Sequence, residues 1–234
     1  MKKSVRNDNI LLAINLIMIS AVFVLNYFYQ SNGFDFTLKC ICSAGFALLG
    51  IINLVYAAVN KSGDIKFSAV MAAGLVFAML GDVIIGVSFI FGAGIFALGH
   101  VCFVAAYCVL QKPKALDFII GGVLFVGAGA FLIFFPLLDF DEPIFRWVCV
   151  VYALIISSML GKAAANFIRV RNVFYALIAV GSLLFFFSDL MLVFDWFVGI
   201  WQFTSEACMG TYYPALCLLA FSIFFKGRTE RAKL

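Results

Sequence analysis

The chain has 234 residues, 65% of them hydrophobic and only 12% charged, with 29 Phe and a mean hydropathy of +1.13. No soluble core hides that much apolar surface, which excludes a water-soluble globular protein and leaves an integral membrane one. The net charge of +4 reads as a topological signal, with no nucleic-acid partner implied.

A membrane helix needs about 20 mainly apolar residues, and eight such stretches follow one another with polar punctuation between them. The first is predicted at 10–28, after the basic start Lys2, Lys3 and Arg6. It is longer than a signal-peptide core and lacks a small-residue cleavage site, so it belongs to the mature protein. The second, 38–59, opens on Lys39, and the third, 67–85, carries Gly81-Asp82 near its end. The fourth, 89–110, holds Gly92, Gly94, Gly99 and His100, and the fifth, 118–135, holds Gly121, Gly122, Gly127 and Gly129. Small residues of this kind let helices approach closely. The sixth, 144–165, contains Arg146 and Lys162; the seventh, 173–193, carries Ser188-Asp189 near its end; the eighth, 205–225, contains Glu206 and Tyr212-Tyr213. The expected fold is all-α, a single transmembrane domain over 1–234 made of eight helices. Short loops predict that consecutive helices pack as antiparallel neighbours.

With the N-terminus inside, Lys2, Lys3, Arg6, Lys61, Lys66, Lys112, Lys114, Lys162, Arg169, Arg171, Lys226, Arg228, Arg231 and Lys233 fall on the cytoplasmic side, fourteen of sixteen basic residues. Lys39 and Arg146 remain on the outer face with Asp35, Asp139, Asp141, Glu142 and Asp195. The bias predicts an even helix count and two cytoplasmic termini. In a bacterium the membrane would be the cytoplasmic one. The seven cysteines show no CxxC pair and read as small apolar fillers. Gly81-Asp82 and Ser188-Asp189 echo each other, too briefly to establish a repeat.

Ionisable groups in hydrocarbon cost at least about 2.5 to 3.5 kcal/mol and are functional candidates by default. Lys162 is expected to snorkel to the cytoplasmic surface, Arg146 to anchor a helix start, and Glu206 to sit at the interface. Counted from the outer span ends at about 1.5 Å per residue, Asp82 lies roughly 5 Å deep, Asp189 roughly 6 Å, Tyr212 roughly 10 Å and His100 roughly 16 Å. All four occupy one half of the membrane, which predicts a shared polar pocket there. One histidine cannot supply the three-histidine set of an intramembrane zinc hydrolase, so neither metal nor cofactor is expected. A Ser188-His100-Asp189 triad is weak, because adjacent residues point about 100° apart on a helix. Two carboxylates in a low-dielectric site are the better device, one protonated as general acid and the other ionised as general base. Lys39 stands at the level of a lipid phosphate; a charge offsetting Asp35 explains it equally well.

Gly81-Asp82, Phe89, Gly92, Phe96 and Gly99-His100, then Gly181, Phe185 and Ser188-Asp189, then Thr211-Tyr212-Tyr213 together resemble the YhhN family of polytopic membrane proteins, which includes the lysoplasmalogenases. Lys39 is similar to the lysine of a family Lys-Pro pair, with Cys40 in place of proline; Phe103 stands where tyrosine is common and Leu216 where glutamine often is. The resemblance implies hydrolysis of the vinyl ether bond of a lysophospholipid drawn from the membrane lipids, with no soluble partner. It assigns Asp82 and Asp189 as acid and base in unresolved order. His100 would tune one of them, Tyr212 or Tyr213 would hydrogen-bond water or a glycerol hydroxyl, Ser188 would support the site, and Lys39 would meet the phosphate. A non-catalytic lipid-binding or transport protein is the alternative.

Overall fold

The computed structural model describes residues 2–60, 64–199 and 201–231. Among them are eight helices and no strand: α1 (Lys2–Ser31), α2 (Phe36–Val59), α3 (Ile65–Ile85), α4 (Phe89–Leu110), α5 (Ala115–Phe134), α6 (Pro143–Arg169), α7 (Val173–Phe197) and α8 (Trp201–Arg231). All eight are long and apolar enough to cross a membrane, as a multi-pass protein requires. Lys61 and Lys233, both assigned to the cytoplasmic side by sequence, lie outside the described residues.

Local chemistry sets several helix starts. Asp35 accepts from the Leu38 amide at the head of α2, Asp64 from the Lys66 and Phe67 amides at α3, and Asn172 from the Tyr175 amide at α7. Pro143 opens α6, where a missing amide hydrogen costs nothing. The helices overrun the predicted spans because hydropathy marks the apolar slab, whereas backbone hydrogen bonding continues through polar residues into water. α1 begins eight residues before its predicted start, and α7 runs on to Phe197. Asp189 therefore lies eight residues, roughly 12 Å, before the end of α7. α5 begins at Ala115, which brings Asp117 inside a helix that sequence had placed beyond it.

Helices α2, α3, α4, α6, α7 and α8 form a closed ring of neighbouring pairs, and α3 also touches α8 across it. α1 lies outside against α2 and α8; α5 lies outside against α6, with its Phe131 ring reaching Phe194 of α7 at 5.3 Å between centroids. Among the described residues α4 and α5 share no contact, contrary to the expectation that consecutive helices pack together. α6 stands between them, and its small residues draw α5 onto it. A Cβ built on Gly161 would lie 2.6 Å from Gly121 Cα. The expectation of close approach thus holds at Gly121, at Gly92, which packs on the backbone of Ile85, and at Gly99, where an added Cβ would lie 3.2 Å from the Gly74 carbonyl oxygen, whereas at Gly94, Gly122, Gly127 and Gly129 an added Cβ would meet nothing within 4 Å. Gly161→Leu is expected to lower stability by about 1–3 kcal/mol or more through overpacking, and Gly122→Leu to leave it unchanged. Thermal unfolding in detergent checks both, and equal midpoints would sink the account.

A buried ion cluster does what direct α4–α5 packing does not. Asp117 pairs with Lys162 at 2.8 Å and with Arg169 at 2.7 Å, and accepts from the Lys114 amide at 2.9 Å. Arg169 also donates to Gln111 and Asn166, and Asn166 donates to the Tyr107 carbonyl. The end of α4, the start of α5 and the end of α6 are tied into one knot. Lys162 therefore does not snorkel: its side chain is 3% exposed, because Asp117 offers a buried partner that sequence left out of the span. On the far side of the bundle, Asn15 and Asn53 exchange hydrogen bonds at 2.9 and 2.8 Å while Asn53 donates to the Ala220 carbonyl, joining α1, α2 and α8.

Candidate functional site

Asp82 on α3 is 2% exposed and surrounded by donors. The Lys39 ammonium lies 3.2 Å from Oδ1, the Ser43 hydroxyl donates to Oδ2 at 2.5 Å, and the Tyr213 hydroxyl donates to Oδ2 at 3.2 Å. Lys39 and Ser43 are four residues apart on α2, so they share one helix face. Three donors, one of them cationic, match the lone pairs of a carboxylate anion.

Asp189 on α7 has a different environment. The Tyr152 hydroxyl from α6 donates to Oδ2 at 2.6 Å and lies 2.6 Å from His100 Nε2, which is itself 3.3 Å from that carboxylate oxygen. His100 Nδ1 lies 3.3 Å from Met159 Sδ, and its ring packs on Phe185 with centroids 4.5 Å apart. Among the described residues no lysine or arginine pairs with Asp189. Asp189 thus meets a hydroxyl and an imidazole where Asp82 meets an ammonium and two hydroxyls.

Both carboxylates face one cavity of about 520 Å³, whose walls also include Lys39, Ser188, Asp195 and Tyr212. His100 and Tyr213 stand behind the carboxylates, outside that wall. A second, narrow cavity, lined by apolar side chains such as Phe131, Leu132, Ala153 and Ile156, runs to Asp189 from the direction of α5 and α6. Asp189, Ile85, Phe96 and Leu192 line both spaces, so Asp189 stands where a polar chamber meets an apolar one.

Asp82, Asp189 and Tyr212 thus share one cavity, with His100 behind Asp189, but their partnerships were not foreseeable from depth. Ser188 points its hydroxyl at Cys208 Sγ, 3.8 Å away, while His100 goes to Asp189, so no serine triad assembles. Tyr212 spends its hydroxyl on the Ala78 carbonyl at 3.1 Å, leaving Tyr213 as the tyrosine on a carboxylate. Lys39 does not offset Asp35, whose side chain caps α2; it pairs with Asp82. Glu206 is exposed and meets Gln202. Sequence reasoning missed Ser43 and Tyr152. The first was signalled by its four-residue spacing from Lys39, the second by a hydroxyl within the apolar run of the sixth span.

Among the described residues no three His, Cys, Asp or Glu side chains gather as metal ligands would. Eight membrane-length helices around a cavity with two buried carboxylates define a polytopic membrane protein with paired acids in its interior. The YhhN family model matches residues 42–223, and the chain belongs to the YhhN family, which is associated with hydrolase activity. Lys39 lies just ahead of the matched residues. No curated protein and no solved structure matches the chain.

Proposed function

We propose that this protein is a lysoplasmalogenase-like hydrolase that cleaves the vinyl ether bond of a lysoplasmalogen to a fatty aldehyde and a glycerophospho-base, without metal or cofactor. The observation that carries the reading is the unequal pair of acids on one cavity: Asp82 against an ammonium, Asp189 against a tyrosine hydroxyl and an imidazole. This inequality supports Asp189 as the acid and Asp82 as the base.

Protonated Asp189 gives its proton to the β-carbon of the alkenyl chain, forming a C–H bond and leaving an oxocarbenium centre at the carbon that bears oxygen. The Asp82 anion stabilises that cation and takes a proton from the water that attacks it, which yields a neutral hemiacetal. On collapse the hemiacetal hydroxyl returns a proton to Asp189 while Asp82 passes its own to the departing glycerol oxygen. The aldehyde and the alcohol leave, and both carboxyls are back in their starting states. Tyr152 and His100 hold Asp189 in place, Ser43 and Tyr213 hold Asp82, and Lys39 sets the Asp82 charge while presenting a cation to the phosphate. The bundle sits as one transmembrane domain with both termini in the cytoplasm and this cavity in the outer half, drawing substrate from the surrounding lipids.

A non-catalytic lipid-binding or transport protein is the second reading, supported by the departures at Cys40, Phe103 and Leu216; the last two are fully buried. Incubating detergent-purified protein with choline and ethanolamine lysoplasmalogens separates the two. Aldehyde is expected from the vinyl ethers and none from saturated ether analogues. Binding of both lipid types without aldehyde from either would overturn the hydrolase and leave the carrier.

A further inference from the structure

The charge of the cavity does not balance. Three acidic side chains, Asp82, Asp189 and Asp195, line it against one ammonium, Lys39, which is bound to Asp82; with Asp189 carrying its proton as proposed, the charge of Asp195 is left unmatched. Asp195 Oδ1 accepts from the Ser205 hydroxyl at 2.6 Å and the Thr204 hydroxyl at 3.2 Å, both neutral donors at the start of α8. Among the described residues no basic side chain pairs with it. Trp196, the next residue, lines the same cavity and is held against the Phe89 ring at 5.1 Å between centroids. A carboxylate fixed by hydroxyls beside an aromatic side chain suits an organic ammonium, which draws on both. A bare divalent ion would want several oxygen ligands converging on it.

The position along α7 gives the ammonium an address. Asp195 is six residues beyond Asp189, roughly 9 Å along the helix axis, comparable to the reach of an extended glycerophospho-base from its ether oxygen to its nitrogen. We propose that Asp195 and Trp196 form the subsite for the ammonium head group of the lysophospholipid, so that α7 spans the substrate from its reacting bond to its charged end. This rests on reading the cavity as a lysoplasmalogen site.

The test is equilibrium binding of saturated 1-alkyl lysophospholipids, which cannot be hydrolysed, to detergent-purified protein, with choline and glycerol head groups compared. The choline lipid is expected to bind about tenfold tighter than the glycerol lipid. Asp195→Asn keeps the oxygen that Ser205 and Thr204 hold but removes the charge, and should bring the ratio close to one by weakening the choline lipid alone. Trp196→Leu should weaken the choline lipid more than the glycerol lipid. An unchanged ratio in Asp195→Asn, equal weakening of both lipids, or no choline preference in the parent protein would overturn the subsite. Because the probes are inert, the readout is independent of turnover: a head-group preference without aldehyde release would sink the hydrolase and keep the subsite, and the reverse outcome would do the opposite.

Discussion

Asp189→Asn is expected to lower aldehyde release from a lysoplasmalogen by about 10²–10⁴-fold, the usual worth of a positioned proton donor. Asparagine keeps the shape and can still accept from Tyr152, but it has no acidic proton to give to carbon. Asp82→Asn should fall by a similar factor for the opposite reason, since its amide cannot take a proton from water. The double variant should be little worse than either single one, because groups that act on one reaction coordinate are strongly non-additive. Initial rates with a choline lysoplasmalogen measure all three, and thermal unfolding in detergent shows that each is folded. Full activity in both single variants would sink the carboxylate pair. Loss confined to Asp82→Asn, with Asp189→Asn active, would reverse the roles of the two acids.

The largest effect on stability is expected at the opposite end of the bundle. Asp117→Ala removes the partner of Lys162 and Arg169 and the side chain that caps the start of α5. It leaves a buried ammonium without a counter-charge, and breaking a buried pair in this way costs about 3–5 kcal/mol. Lys162→Met in the same background should recover a good part of the loss by removing the stranded charge. A double-mutant cycle on unfolding free energies in detergent reads the coupling. A cost near zero for Asp117→Ala, or no recovery in the double variant, would show that the cluster is incidental to the packing of α5.

How much of this was readable in the sequence depends on which dimension is asked about. The number and order of the helices were legible, because they follow the eight apolar runs, and Asp82, Asp189 and Tyr212 do line one cavity. Rotation about each helix axis was not, and rotation decides partners. Tyr152, three residues beyond Cys149, gave no sign that it would meet His100 from one side and Asp189 from another. Lys162 looked like a snorkelling lysine because its partner, Asp117, lay just outside a span that hydropathy started at residue 118. The neighbour relations were also hidden. A short connection at 111–114 suggests adjacency, but whether two joined helices touch is set by what third helix has the better surface, and Gly161 gave α6 that surface.

The ring of helices very nearly maps onto itself. Advancing every helix by four positions carries α1·α2 onto α5·α6, α2·α3 onto α6·α7, α3·α4 onto α7·α8 and α2·α8 onto α6·α4, so that only α1·α8 and α3·α8 lack a counterpart. The two acids obey the same operation. Asp82 on the third helix is held from α2 and α8, and Asp189 on the seventh from α6 and α4. In each case the last helix of one half crosses over to grip the acid of the other: Tyr213 for Asp82, His100 for Asp189. Neither four-helix half owns a complete constellation. The helix neighbours around the two acids thus correspond four by four, while the side chains that hold them do not: a lysine meets Asp82 and a histidine meets Asp189.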